Sequence, residues 1–84
     1  MKLCIPSVKN SKLQIIQILQ EMDLGKITYS LDNRAHFYTI YINVQKWNFN
    51  NKIVKQVYNK LSNNEEINYV YQFPWFWKIR QMEN

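Results

Sequence analysis

"GKITYSLDNRAHFYTIYINV", residues 25–44, holds two alternating stretches joined by four residues with no alternation. In the first, Ile27, Tyr29 and Leu31 share one face, and Lys26, Thr28 and Ser30 share the other. In the second, Tyr38, Ile40, Ile42 and Val44 oppose Phe37, Thr39, Tyr41 and Asn43. A period of two is that of half-buried strands. The intervening "DNRA" supplies turn residues, so the whole stretch predicts a β-hairpin.

On either side of the hairpin the period changes. Upstream, "SKLQIIQILQEMDLG" places Ile15, Ile18, Leu19 and Met22 at i, i+3, i+4, i+7, the stripe of an amphipathic helix. Ser11 with Gln14 forms a capping box, and Gly25 stands where a left-handed C-cap is wanted. Downstream, "NNKIVKQVYNKLSNN" sets Ile53, Val54, Val57, Tyr58 and Leu61 on one helical stripe, with Asn50 or Asn51 as cap. At the outer ends, "KLCIPSV" reads as a strand with Leu3 and Ile5 on one face and Lys2, Cys4 and Pro6 on the other. Pro6, which cannot donate to a ladder, is expected near that strand's end. "EINYVYQF" reads as a last strand that Pro74 ends.

The order β-α-β-β-α-β with right-handed crossovers predicts an α+β, ferredoxin-like sandwich: a four-stranded antiparallel sheet with both helices on one face. Residues 1–73 form that core, and residues 74–84 are an aromatic and basic C-terminal tail. If the chain stays extended past Pro74, Phe73, Trp75, Trp77 and Ile79 share one side, and Phe76, Lys78 and Arg80 the other. The tail either closes the core or adds an exposed strip. Trp47, just past the third strand, is expected to plug the core beside the second helix.

With 84 residues the chain has room for one domain. Thirteen Phe, Tyr and Trp residues exceed what so small a core needs, and exposed aromatic patches mark partners. A net charge of +5 favours anionic ones. Cys4 is the one cysteine, so the chain fits a reducing compartment. "MKLCIP" is not a signal peptide, and no window of about 20 apolar residues spans a membrane. The expected location is intracellular, or inside a particle, and not secreted. His36 is the one histidine and reads as a hairpin-end residue. Without a Cys/His pair at ligand spacing, a Gly-rich phosphate loop or a nucleophile–base set, no metal, cofactor, small-molecule substrate or enzymatic activity is expected.

Two helices on one side leave the other side of the sheet open, with Phe37, Tyr41 and Asn43 of the third strand pointing out of it. Aromatics on such a face stack the bases of single-stranded nucleic acid. Residues 40–44, "IYINV", resemble the third-strand motif of RNA-recognition domains. That resemblance implies a stacking role for Tyr41 and burial for Ile42. The first-strand counterpart, "LCIPSV", carries Cys4 where the family has an aromatic, and Thr39 stands at another aromatic position.

Nearly the whole chain resembles a group of small RRM-like proteins of large nucleocytoplasmic DNA viruses. The residues that carry this are "LCIPSV", "GKITYSL", Trp47 after the third strand and the ending "YQFPWFWKI", with its Pro-Trp-aromatic-Trp-Lys motif. The resemblance implies an RRM-like fold and a viral origin, in the host cytoplasm, a viral factory or the virion. It implies no catalytic residues.

The expected function is therefore non-catalytic binding of single-stranded RNA or DNA on the open face. Phe37, Tyr41 and Asn43 would meet bases, with Lys2, Lys26, Arg34, Lys78 and Arg80 on phosphates. The alternative is a homodimeric interaction protein or virion-packaged structural protein whose interface is Phe37, Tyr41, Tyr69, Tyr71, Trp75 and Trp77.

Overall fold

Helices form where the sequence changes period, and their ends are held by their own side chains. The computed structural model describes residues 1–82; Glu83 and Asn84, the last two of the expected tail, lie outside the described residues. Helix α1 (Lys12–Met22) buries Ile15, Ile18, Leu19 and Met22. Its capping box is formed: the Gln14 N–H donates to Ser11 Oγ at 3.3 Å, and the Ser11 N–H donates to Gln14 Oε1 at 3.0 Å. Helix α2 (Lys52–Ser62) is capped by Asn51, whose Oδ1 accepts from the Ile53 N–H at 3.0 Å. Val54, Val57 and Leu61 are buried on its inner face. Tyr58 is half-buried, and Ile53, expected in the same stripe, is exposed.

The C-cap of α1 is Asp23, with φ 54°, and not Gly25. Gly25 instead opens strand β2 (Gly25–Asn33) with φ 130°. A Cβ there would fall on the Lys46 carbonyl oxygen and lie 2.8 Å from the Asn48 amide nitrogen. The glycine thus permits close approach between β2 and β3 (Tyr38–Trp47).

The sheet has five strands, not four. Strands β1 (Lys2–Val8), β4 (Ile67–Gln72) and β5 (Trp75–Gln81) join β2 and β3 in the order β2-β3-β1-β5-β4, every neighbouring pair antiparallel. The extra strand comes from residues expected as a tail. Phe73 and Pro74 make the turn of a β4–β5 hairpin, through a cis peptide. β5 takes the inner place beside β1, and β4 is left at the edge. Burial explains the exchange: β5 brings Trp77 and Ile79, which suit an enclosed place, whereas Tyr69 and Tyr71 of β4 carry hydroxyls that suit a wet edge. With β5 in place, β3 and β5 run parallel with β1 between them, as β1 and β2 do around β3. The architecture is α+β: two helices and a five-stranded antiparallel sheet with β4 at one edge.

Pro6 lies within β1 and not at its end. A bulge between Ile5 and Val8, with Ser7 at φ 58°, adds one residue to β1 and relieves the ladder of the missing donor. The core lies between the helices and one sheet face, with Leu3, Ile5, Ile40, Ile42 and Ile79 beneath Ile15, Leu19, Val54 and Leu61. Trp77 is 3% exposed, and its Nε1–H donates to Asn10 Oδ1 at 3.1 Å. Trp47 packs edge-on against Tyr58 of α2 at 5.2 Å between centroids, and Phe49 meets the same ring at 5.1 Å. Among the described residues no helix is long and apolar enough to cross a membrane.

Candidate nucleic-acid interface

Because side chains alternate, each strand that buries its apolar set under the helices presents the remainder on the opposite face. Strand register then fixes which of these residues stand side by side. Ser30 of β2 pairs with Tyr41 of β3, Tyr41 with Cys4 of β1, and Cys4 with Arg80 of β5. This row crosses the middle of the open face. A parallel row holds Thr28, Asn43 and Lys2, with the Met82 N–H donating to the Lys2 carbonyl at 2.9 Å. On the outer side of β5, Lys78 pairs with Asn68 and Phe76 with Val70.

Tyr41 is half-buried and lies outside the core cluster. It borders two shallow depressions. One, of about 290 Å³, is lined by Lys2, Thr28, Ser30, Tyr41, Asn43 and Met82 among others. The other, of about 500 Å³, is bounded by Cys4, Tyr41, Arg80, Gln81 and Met82. Tyr41 and Arg80 stand two strand spacings apart, about 9.5 Å. Cys4 between them is only 8% exposed, so its long neighbours cover it. Where the RNA-recognition family would set a first-strand ring, this chain has a small side chain roofed by a tyrosine and an arginine. Stacking at that position is unavailable. That part of the open face presents Tyr41, Arg80 and Lys2 instead.

The expected site residues do not form one group. Lys2, Tyr41, Asn43, Lys78 and Arg80 share the open face. Phe37 does not: β3 begins at Tyr38, and the Arg34 N–H donates to the Phe37 carbonyl at 2.8 Å to close the hairpin turn. Its ring, 37% exposed, lines a separate depression with Lys9, Asn10 and His36. Arg34 is in the same turn, in an ion pair with Asp32 at 2.9 Å, the one ion pair among the described residues. Lys26 is exposed at the other end of β2, at a bulge opposite Lys46.

The expected aromatic interface is also divided. Tyr69, Tyr71 and Trp77 lie on the helix side, because β4 and β5 turn their larger apolar residues toward the core; Tyr71 and Trp77 pack at 5.5 Å between centroids. Burial, and then the negative charge of Glu21, raises the Tyr69 phenol above its ordinary 10.0. Trp77 has no surface to offer a partner. Trp75 is exposed beside the Phe73–Pro74 turn.

One open-face aromatic, Phe76, is grouped with Lys78 and Arg80 by the sequence but is not among the expected site residues. Phe76, 45% exposed, stands on β5 two residues from Lys78 and four from Arg80, on the same face. Its signal was the alternation of Phe76, Lys78 and Arg80 against Trp77 and Ile79, which is strand periodicity within the supposed tail. No protein-family model, no curated protein and no solved structure matches the chain.

Proposed function

We propose that the chain is a non-catalytic binding domain for single-stranded nucleic acid, engaged on the open sheet face. The observation that carries this reading is the grouping of Lys2, Lys78 and Arg80 with Tyr41 and Phe76 on the face that no helix covers. A single strand offers regularly spaced phosphates and unstacked bases, and the face offers both kinds of contact. Cations on β5 recur every second residue, about 6.6–6.8 Å apart, along the strand direction. Tyr41 and Phe76 supply π surfaces to either side of them, and Asn43 supplies an amide at the edge of the Tyr41 depression.

The test is a titration with fluorescent single-stranded oligonucleotides at several salt concentrations. Contact with three phosphates predicts a slope of log affinity against log salt of about −2. Arg80→Glu and Lys2→Glu should each weaken binding and flatten the slope. Tyr41→Ala should weaken binding by about 1–3 kcal/mol and leave the slope unchanged. No binding at low salt, or binding indifferent to all three substitutions, refutes the reading.

A further inference from the structure

We propose that β2 is a homodimer interface: two copies pair their β2 strands antiparallel about a two-fold axis through Tyr29, which joins their sheets into one. This proposal stands without the nucleic-acid reading.

The edge is suited to such pairing. β2 is nine residues long and contains no proline, and β3 is its one neighbour in the sheet. The Arg34 N–H to Phe37 carbonyl bond marks residues 34 and 37 as a hydrogen-bonded pair. Antiparallel ladders alternate bonded and unbonded pairs. The register runs unbroken from Asn33↔Tyr38 to Ile27↔Val44, so Asp32, Ser30 and Thr28 bond to β3. The N–H and C=O groups of Ile27, Tyr29 and Leu31 therefore point away from the sheet. The bulge beyond Ile27 does not disturb this, because its extra residue, Gln45, is on β3. Long edges with free backbone groups are templates for another strand.

The sequence of β2 selects a second copy as that strand. With the axis through Tyr29, Gly25–Asn33 overlaps its mate over its full length, and the outward groups of Ile27, Tyr29 and Leu31 face one another. Ile27 then stands opposite Leu31 on the helix side, and Thr28 opposite Ser30 on the open side. Lys26 stands opposite Asp32, twice by symmetry. Asp32 already accepts from Arg34, so Lys26 joins an existing pair. The smallest slide that keeps outward groups opposed places Lys26 opposite Ser30 or Arg34 and shortens the overlap. One register satisfies length, polarity and charge together.

Burial points the same way. Tyr29 is on the helix side yet 43% exposed, and a groove of about 220 Å³ separates it from Ile16 and Gln20 of α1. A second copy covers it with the same ring, a cross-strand aromatic pair of the kind that stabilises sheets. The other edge, β4, has six residues and no charge to set a register.

Analytical ultracentrifugation should show a concentration-dependent monomer–dimer equilibrium. Lys26→Glu and Asp32→Lys each bring like charges together at both crossing points, and each should raise the dimer Kd about tenfold or more. An equimolar mixture of the two variants restores opposite charges and should form a heterodimer at least as tight as the wild-type dimer. In the wild-type protein, the Ile27, Tyr29 and Leu31 amides should gain hydrogen-exchange protection as concentration rises. The proposal is overturned if the wild type is monomeric at ~1 mM. It is equally overturned if the single variants associate like the wild type, if the mixture fails to restore association, or if those amides exchange at one rate at all concentrations.

Discussion

Replacing Gly25 with alanine tests the packing on which the whole hairpin depends. At φ 130° an L-residue sits in a backbone region that costs about 1–3 kcal/mol. The new methyl also collides with backbone at Lys46 of β3 and at Asn48 just past it, not with a flexible side chain that could swing away. Relief requires β3 to move off, and that sacrifices the 2.8 Å bond from the Asn48 N–H to the Leu24 carbonyl, worth about 0.5–1.5 kcal/mol. Together the loss is about 2–4 kcal/mol, against a total stability of about 4–13 kcal/mol for a domain of this length. Urea denaturation followed by tryptophan fluorescence should show this decrease, and the melting temperature should fall by about 8 °C or more. Lys55→Ala, exposed on α2, is the control and should stay within about 0.5 kcal/mol of wild type. A Gly25→Ala protein as stable as that control would mean that β2 and β3 do not meet as described.

Trp77→Ala should cost about 3–5 kcal/mol, since it empties an enclosed site and strands the Asn10 amide, and equilibrium unfolding would measure it. Ser11→Ala should cost about 1 kcal/mol through loss of the α1 cap, visible as a lower denaturation midpoint with unchanged m-value. Because the Tyr69 phenol is raised in the folded state, its contribution to stability is complete below its unfolded value near 10 and is lost as pH rises through the folded value. Tyr69→Phe should therefore reduce the alkaline loss of stability in denaturation curves compared across that window.

The helices and the β2–β3 hairpin were legible because their signals are local. Ser11, Gln14 and the Ile15–Met22 stripe lie within one another's reach, and the alternation around "DNRA" is self-contained. Tyr41 followed from the same alternation. The five-stranded sheet was not legible, because a period of two is the same for a central strand, an edge strand and an extended tail. What places β5 inside is pairing between Cys4 and Arg80, which no local window contains. Pro74, expected to end the last strand, instead turns a β4–β5 hairpin. Reading a tail there leaves Phe76 out of the expected site, and of the tail's two alternatives, closing the core or adding an exposed strip, Trp77 takes the first. Gly25 reads as a helix cap because glycine is common after a helix, but the demand for it comes from β3, a strand further along the chain.

The position of β5 bears on how the molecule comes together during translation. Leu3 pairs with Gln81, so a contact at the heart of the sheet joins two residues that leave the ribosome nearly the whole chain apart. Until β5 emerges, β1 carries one unsatisfied flank, and the Trp77 site beside Asn10 is open to water. Pairing between strands so distant in sequence raises the contact order and slows assembly. A nascent chain stalled before Trp75 would be a client for chaperones, not a smaller working domain.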